Sequence, residues 1–298
     1  MLNRDIYVSS FIRLLILLFV VLMLLGMRNI SKRDDLEKIS ISERLKSGRI
    51  TIELKSLGGY QNKCVELKLI NLSPDSTIVL LEAGRKLMAD DSSMQDILVV
   101  REELISLAPH QEKRLDVTGF CCRAHRSSPS KNSHFQLGPM APDTWVEVAK
   151  HISQSNYSSS AIQSAVWSLS DNNSIAAIIT SEKGGNNPLR SLVAKVKNIT
   201  IPWYSVEYEP DTILLFSNKP QRVWGEMQYY VPNNAQITLV IKDAKGRIVK
   251  TLFKSQNVNP GTYSYFVDES LKGWKNGTYT LMLYGDQSNL LLRRDFSI

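Results

Sequence analysis

The sequence predicts a mainly β chain: two β-sandwich, immunoglobulin-like (Ig-like) domains, a short helical hairpin packed on the first, and an N-terminal hydrophobic helix. Three observations lead there. From Arg49 onward, apolar and polar residues alternate with a period of two, as in a half-buried strand. Turn-forming residues punctuate the alternation at strand-length intervals. The helical period replaces it clearly only in the middle, around TWVEVAKHI and AIQSAVWSLS. A length of 298 residues suits about two domains. The expected division is 1–48 for the N-terminal helix and stalk, 49–198 for the first sandwich with its hairpin, 199–210 for a linker and 211–298 for the second sandwich.

Leu14 to Met27 is an unbroken apolar run, preceded by Arg4 and Arg13. A basic start followed by a hydrophobic stretch is the layout of an export signal. No small-x-small cleavage site follows it, and Arg28 comes at once. The stretch therefore reads as an uncleaved anchor holding the membrane through residues 4–27; a cleaved signal, giving a secreted protein, is the alternative. Arg28, Lys32 and Arg33 lie beyond the run, so the basic flanks do not fix orientation. Long domains translocate despite such charges, which places the body on the extracytoplasmic side, in the periplasm or at the cell surface. Ser31 to Lys46 is charged and reads as a stalk.

In the first β region, ITIELKSL and CVELKLIN alternate, and SPDS (Ser73 to Ser76) is a turn with Pro74 at its second position. STIVLLEAG, DILVV and Lys113 to Phe120 complete the series, and the last strand delivers the chain to Cys121 and Cys122. Cys64 is the third cysteine. In an oxidising compartment a bond from Cys64 to one of the vicinal pair is expected. Alternation puts Cys121 on the face of Leu115 and Val117, and Cys64 on the polar face with Glu66 and Lys68. That pattern favours Cys64–Cys122 as the disulfide and leaves Cys121 as a buried thiol. Three buried, unbonded cysteines are the other reading.

Pro139 to Asp143 opens a helix with Asp143 as its N-cap, and Val146, Ala149 and Ile152 form its apolar face. After SQSNY a second helix carries Ile162, Ala165, Val166 and Leu169 as a stripe, with Trp167 at the edge and Gln163 flanking it. Asn187 and Pro188 begin a third helix, LRSLVAKVKNI. In the last region seven segments read as strands, from TILLFSN to LLLRRDFSI, with DAKGR as a hairpin turn.

Two resemblances follow from these motifs. GFCC together with IQSAVW resembles the two signatures of bacterial surface-adhesin thioester domains. The resemblance implies that Cys121 and Gln163 condense into an internal thioester that captures an amine on a ligand. Cys122 and the basic loop AHRSSPS depart from that family. The second resemblance covers Gln221 to Ile298, where ITLVIKDAKGRIVKTL, NPGTYSYFVD, KNGTYTLMLYG and LLLRRDFSI are similar, in order, to the Ig-like domain of flagellar hook-capping proteins. Related Ig-like modules close exported proteins of the Bacteroidetes secretion pathway, where they serve in sorting. It implies a binding or assembly module.

The formal charge is +7, but Lys and Arg are scattered with no run of five, so a nucleic-acid groove is not the reading. There is no P-loop, no GxSxG and no HExxH, and nothing indicates a cofactor, a metal or an enzyme. The leading expectation is a non-enzymatic, membrane-anchored interaction or assembly protein whose partners are other proteins or surface glycans. The alternatives are the thioester adhesin and a secreted carbohydrate-binding protein, with Trp203, Tyr204, Trp224 and Trp274 as aromatics able to stack on sugars. The anchor reading has a direct check. The full-length protein is expected to sediment with membranes and to retain Met1 to Met27; a mature N-terminus beginning after Gly26 overturns it.

Overall fold

The structure, a computed structural model, describes residues 38–181, 187–209 and 216–298. The apolar run before Met27 lies outside the described residues, and so does the start of TILLFSN. Among the described residues no helix is long and apolar enough to cross a membrane. The chain is mainly β, with short helices grouped in its middle. It divides into two compact units: the residues up to 51, with 69–81 and 104–113, form one, and residues 52–68, 82–103 and 114–298 the other.

The first unit holds β1 (Lys38–Ser40), α1 (Ile41–Lys46), β4 (Thr77–Leu81) and β7 (Glu103–Leu107). β1 runs parallel to β4, and the three strands form one sheet in the order β1-β4-β7. The expected stalk thus supplies a strand and a short helix, with Ser40 Oγ capping the helix by accepting from Ser42 N at 3.2 Å. Ile41, Ile50, Val79, Leu81, Ile105 and Leu107 are all buried. Asn71 organises the SPDS turn: its Nδ2 donates to Asp75 O at 2.8 Å and to Ala108 O at 2.9 Å, and its Oδ1 accepts from Ser73 N at 3.0 Å.

β2 (Ile50–Ser56), β3 (Gln61–Asn71), β8 (Glu112–Cys122), β6 (Asp96–Val99), β5 (Arg85–Ala89) and β9 (His134–Met140) close on themselves in that order as a barrel. Closure removes sheet edges, which an open pair of sheets would leave to be covered. On its outer face Leu98, Val100, Phe120 and Cys122 pack against helices. These are α2 (Asp143–Ser153), α3 (Ser159–Ser170) and α4 (Pro188–Lys197). Pro142 is the N-cap position of α2, one residue before the expected Asp143, and no side chain caps it. Ser158 caps α3 and Asn187 caps α4, with Pro188 in its first turn. α4 packs against both α2 and α3, so the helices form a three-membered layer where a two-helix hairpin was expected. Val148, Ala149 and Ile152 are the buried residues of α2; the expected Val146 lies half-buried.

The last region is a sandwich. One sheet is β10 (Ser205–Tyr208), β11 (Pro220–Val231) and β14 (Gly261–Ser270). The other is β13 (Ile248–Val258), β12 (Ala235–Asp243), β15 (Thr278–Tyr284) and β16 (Leu290–Ser297), in that order. Val223, Met227, Tyr229 and Val267 from the first sheet meet Ile237, Leu239, Leu281, Leu283 and Phe296 from the second in one core. Six of the seven expected strands are present. The described part of TILLFSN, Phe216 to Asn218, is not strand. β10 lies inside the stretch expected as a linker. β10 pairs with β11 because Gly225 lets the backbones close: a Cβ there would lie 2.6 Å from Trp203 O and 3.0 Å from Tyr204 Cα.

Arg190 on α4 joins the helical layer to the sandwich. Its guanidinium donates to Ile178 O at 2.8 Å, to Ala176 O at 3.1 Å, to Tyr204 O at 3.2 Å and to Ser205 Oγ at 2.8 Å. Only 7% of the residue is exposed. Burial holds the guanidinium pKa down, at about 10. Replacing it leaves several main-chain carbonyls without donors, each costing about 1–3 kcal/mol. Arg190→Met is therefore expected to lower the unfolding free energy by at least about 2 kcal/mol, with Arg190→Lys intermediate. Denaturant titration checks this; an unchanged midpoint in Arg190→Met contradicts the assignment.

Candidate functional site around Cys121 and Gln163

β8 ends in the vicinal cysteines, and its alternation sorts them. Phe120 and Cys122 face the helical layer, while Gly119 and Cys121 face the opposite side of the strand. Gly119 has no side chain, and the Cys64 thiol occupies the space beside it. Cys64 Sγ donates to Gly119 O at 3.4 Å, and a Cβ built at Gly119 would lie 3.8 Å from that sulfur and 2.3 Å from Ile97 Cγ2. Cys64 is therefore close to the Cys121 face, and it adds to the upward shift of the Cys121 thiol.

All three cysteines are buried free thiols in the structure, so the expected Cys64–Cys122 bond is not formed there. Alternation places Cys64 with the polar Glu66 and Lys68. In the folded chain Cys64 is 1% exposed because a glycine on the neighbouring strand gives its sulfur a niche. Cys122 is shielded from that niche by the strand itself.

Gln163 sits on the second turn of α3 and is 3% exposed. Its Nε2 donates to Cys121 O at 2.8 Å, linking helix and barrel across 42 residues of sequence. Its Oε1 is buried without a hydrogen-bond partner among the described residues. A buried carbonyl oxygen left without a donor is costly, about 1–3 kcal/mol. The Cys121 N–H in turn donates to Tyr60 O at 2.9 Å. Tyr60 stacks on Trp167, one helical turn after Gln163, with centroids 6.4 Å apart and planes 9° apart. Trp167 Nε1 donates to Gln95 Oε1 at 3.4 Å, and Gln95 Nε2 donates to Arg126 O at 2.8 Å. Tyr60, Trp167 and Gln95 thus form a connected set of contacts that begins at the Cys121 main chain.

Beside them Asp96 is buried, with Oδ1 accepting from Ala89 N at 3.1 Å and Oδ2 3.2 Å from Arg123 Nη2. Arg123 adopts a positive φ of 74°, and its N–H donates to Asp171 Oδ2 at 3.1 Å, at the end of α3. That turn re-aims the chain out of β8 and ties it to the helix that carries Gln163.

Burial dominates the thiol chemistry. It pushes Cys64 and Cys122 up to about 12 and Cys121 higher still, with the neighbouring cysteines and Asp96 adding to the shift at Cys121. The thiols are therefore held protonated at neutral pH, and they are weak nucleophiles unless the site opens or a base intervenes. Among the described residues no cluster of His, Cys, Asp and Glu is arranged to hold a metal ion. The motif pair Cys121 and Gln163 is brought together, whereas Tyr60, Gln95 and Asp96 carry no sequence signal that would have placed them beside it. Of the aromatics read as sugar-stacking candidates, Trp224 and Tyr204 are buried, while Trp203 and Trp274 pack partly buried on the sandwich core.

No protein-family model matches the chain, and no curated protein does. Among solved structures, a transglutaminase from red sea bream aligns with 86% of this chain and 32% of its own, at 10% identity and a TM-score of 0.20. This chain thus spans about a third of that enzyme's length, and a score so low carries no argument about fold or activity.

The raised thiols predict a pH dependence. A thiol at about 12 in the fold against 9.0 in the open chain keeps its proton more firmly when folded, so its stabilisation is complete below pH 9 and is lost as pH rises toward 12. Thermal melts from about pH 7 to 11 are expected to show a falling midpoint above pH 9. Cys122→Ala should lower the midpoint at neutral pH, through lost packing, and show a shallower alkaline fall. A variant with the wild-type slope contradicts the assignment.

Proposed function

We propose that this chain is an extracytoplasmic interaction protein of the surface-adhesin kind, whose reactive centre is an internal thioester between Cys121 and Gln163. The observation that carries the reading is the 2.8 Å bond from the Gln163 carboxamide to the main chain of Cys121, deep inside the protein. Two short motifs 42 residues apart supplied the pair, and folding brings them within one hydrogen bond. In the condensation Cys121 Sγ adds to Gln163 Cδ, the C–N bond breaks, and the amide nitrogen leaves as ammonia with the thiol proton. The present bond reaches only the Cys121 main chain and the Cys121 side chain faces away from α3, so the reaction requires the end of β8 to rearrange until the thiol meets Gln163 Cδ. The burial of both Cys121 and Gln163 keeps water from a thioester once formed.

In this reading residues 4–27 hold the chain at the membrane, and the C-terminal sandwich is an Ig-like binding or assembly module. Supporting the latter are its two sheets, of three and four strands, and the ordered motifs from Gln221 to Ile298. The partners are other proteins or surface glycans. The body contributes affinity and position, and the thioester contributes permanence.

Intact-mass measurement tests the centre. The purified protein is expected to weigh less than its sequence by one ammonia, and methylamine should add its full mass to the condensed form. Cys121→Ala and Gln163→Ala should each abolish both effects, while Cys122→Ala should keep them. A wild-type mass equal to the sequence, or lower only by the two hydrogens of a disulfide, rejects the thioester and leaves a non-covalent interaction protein.

A further inference from the structure

A second feature lies along the same helix and needs no covalent chemistry. A cavity of about 430 Å³ opens between α3, the turn that follows it and strands β10 and β11. That is within the range of roughly 300–1,000 Å³ for small-ligand sites. Trp167, Tyr208, Phe216 and Trp224 line it. Trp167 and Phe216 meet edge to face at 5.7 Å, and Phe216 and Tyr208 lie 5.6 Å apart, so three rings form a continuous aromatic wall.

Two residues of the lining carry N–H donors with no acceptor among the described residues. Trp224 is 3% exposed, and its Nε1 has no hydrogen-bond partner there; Asn173 Nδ2 is likewise buried and unpartnered. Buried donors are rarely left unmet in native proteins. The Trp224 ring is also covered by the Arg222 guanidinium, 4.8 Å from its centroid, and Arg222 is itself paired with Asp268 at 2.7 Å. Glu207 and Glu209 are exposed and add carboxylate acceptors to the lining.

We infer that this cavity is a saccharide-binding site. A sugar ring offers what the lining asks for: a C–H face for the aromatic wall, hydroxyl protons for the carboxylates of Glu207 and Glu209, and hydroxyl oxygens as acceptors for Trp224 Nε1 and Asn173 Nδ2, which are covered in the unliganded protein and are uncovered by a shift of the side chains around them as the sugar enters. A cation would satisfy the rings and carboxylates but would leave both N–H donors without acceptors and would face Arg222. A purely apolar ligand would leave the donors buried and unmet. The site stands whether or not Cys121 and Gln163 condense, since none of its recognition uses them.

The test uses the full chain on an array of neutral, amino and acidic glycans, followed by titration of the best binder, with choline as a cationic comparison. Binding to a neutral glycan is expected. Trp224→Phe keeps the ring and removes the donor, and Asn173→Ala removes the other; each is expected to weaken that binding roughly tenfold. Both variants should retain the wild-type melting profile, which separates lost recognition from lost folding. Cys121→Ala should bind like wild type, so failure of the thioester leaves this result intact. No glycan bound, preferential binding of choline, or unchanged affinity in both folded donor variants overturns the inference.

Discussion

The middle and the end of this chain depend on one buried cation. Among the described residues Arg190 has no carboxylate partner; its guanidinium is satisfied by main-chain carbonyls from the turn after α3 and from the entry to β10, with Ser205 Oγ. A guanidinium presents several donors in a fixed plane, so its acceptors must be held at set angles. Asn187 reinforces the arrangement: its Oδ1 caps α4 by accepting from Arg190 N, and its Nδ2 donates to Ile178 O at 2.7 Å. Ala176, whose carbonyl Arg190 holds, is itself buried in the sandwich core. The helical layer and the last β region accordingly belong to one compact unit.

That constraint is what gives the Cys121–Gln163 site and the neighbouring cavity their shapes. α3 presents Ile162, Ala165 and Val166 to the barrel and Ser160, Ser164 and Trp167 to the cavity. Gln163 lies between those two faces and turns its amide toward the end of β8. The same helix therefore positions a polar crosslink to the barrel and one wall of a ligand-sized space. The proposed thioester and the proposed saccharide site would thus share one helix, about one turn apart.

Much of this was legible from residue pattern. β11, β12 and β15 fall where alternation puts them, because each has a buried face, while β13, β14 and β16, with few or no buried residues, are marked by the turn residues that bracket them. Asn187 and Pro188 announce α4, and the apolar stripe of Ile162, Ala165, Val166 and Leu169 announces α3. Other elements left no such trace. β10 is four residues long and sits between prolines, so it read as a linker; it becomes a strand only because Gly225 opens a place beside β11. β1 is three residues long and owes its strand geometry to a parallel neighbour far along the chain.

The sequence by itself determined the class of the fold and the positions of α2, α3 and α4, since these follow from local period and caps. Tertiary structure alone decided the rest. Barrel closure depends on which strands pair, and strand pairing is a non-local choice that alternation does not encode. The environment of Cys64 was set by a missing side chain at Gly119, 55 residues away, and not by its own strand's polarity. The Trp224 donor, the cavity it lines and the cation that joins helices to sandwich arise from residues distant in sequence. Their chemistry exists only where packing excludes water and leaves each polar atom to find a partner or go without.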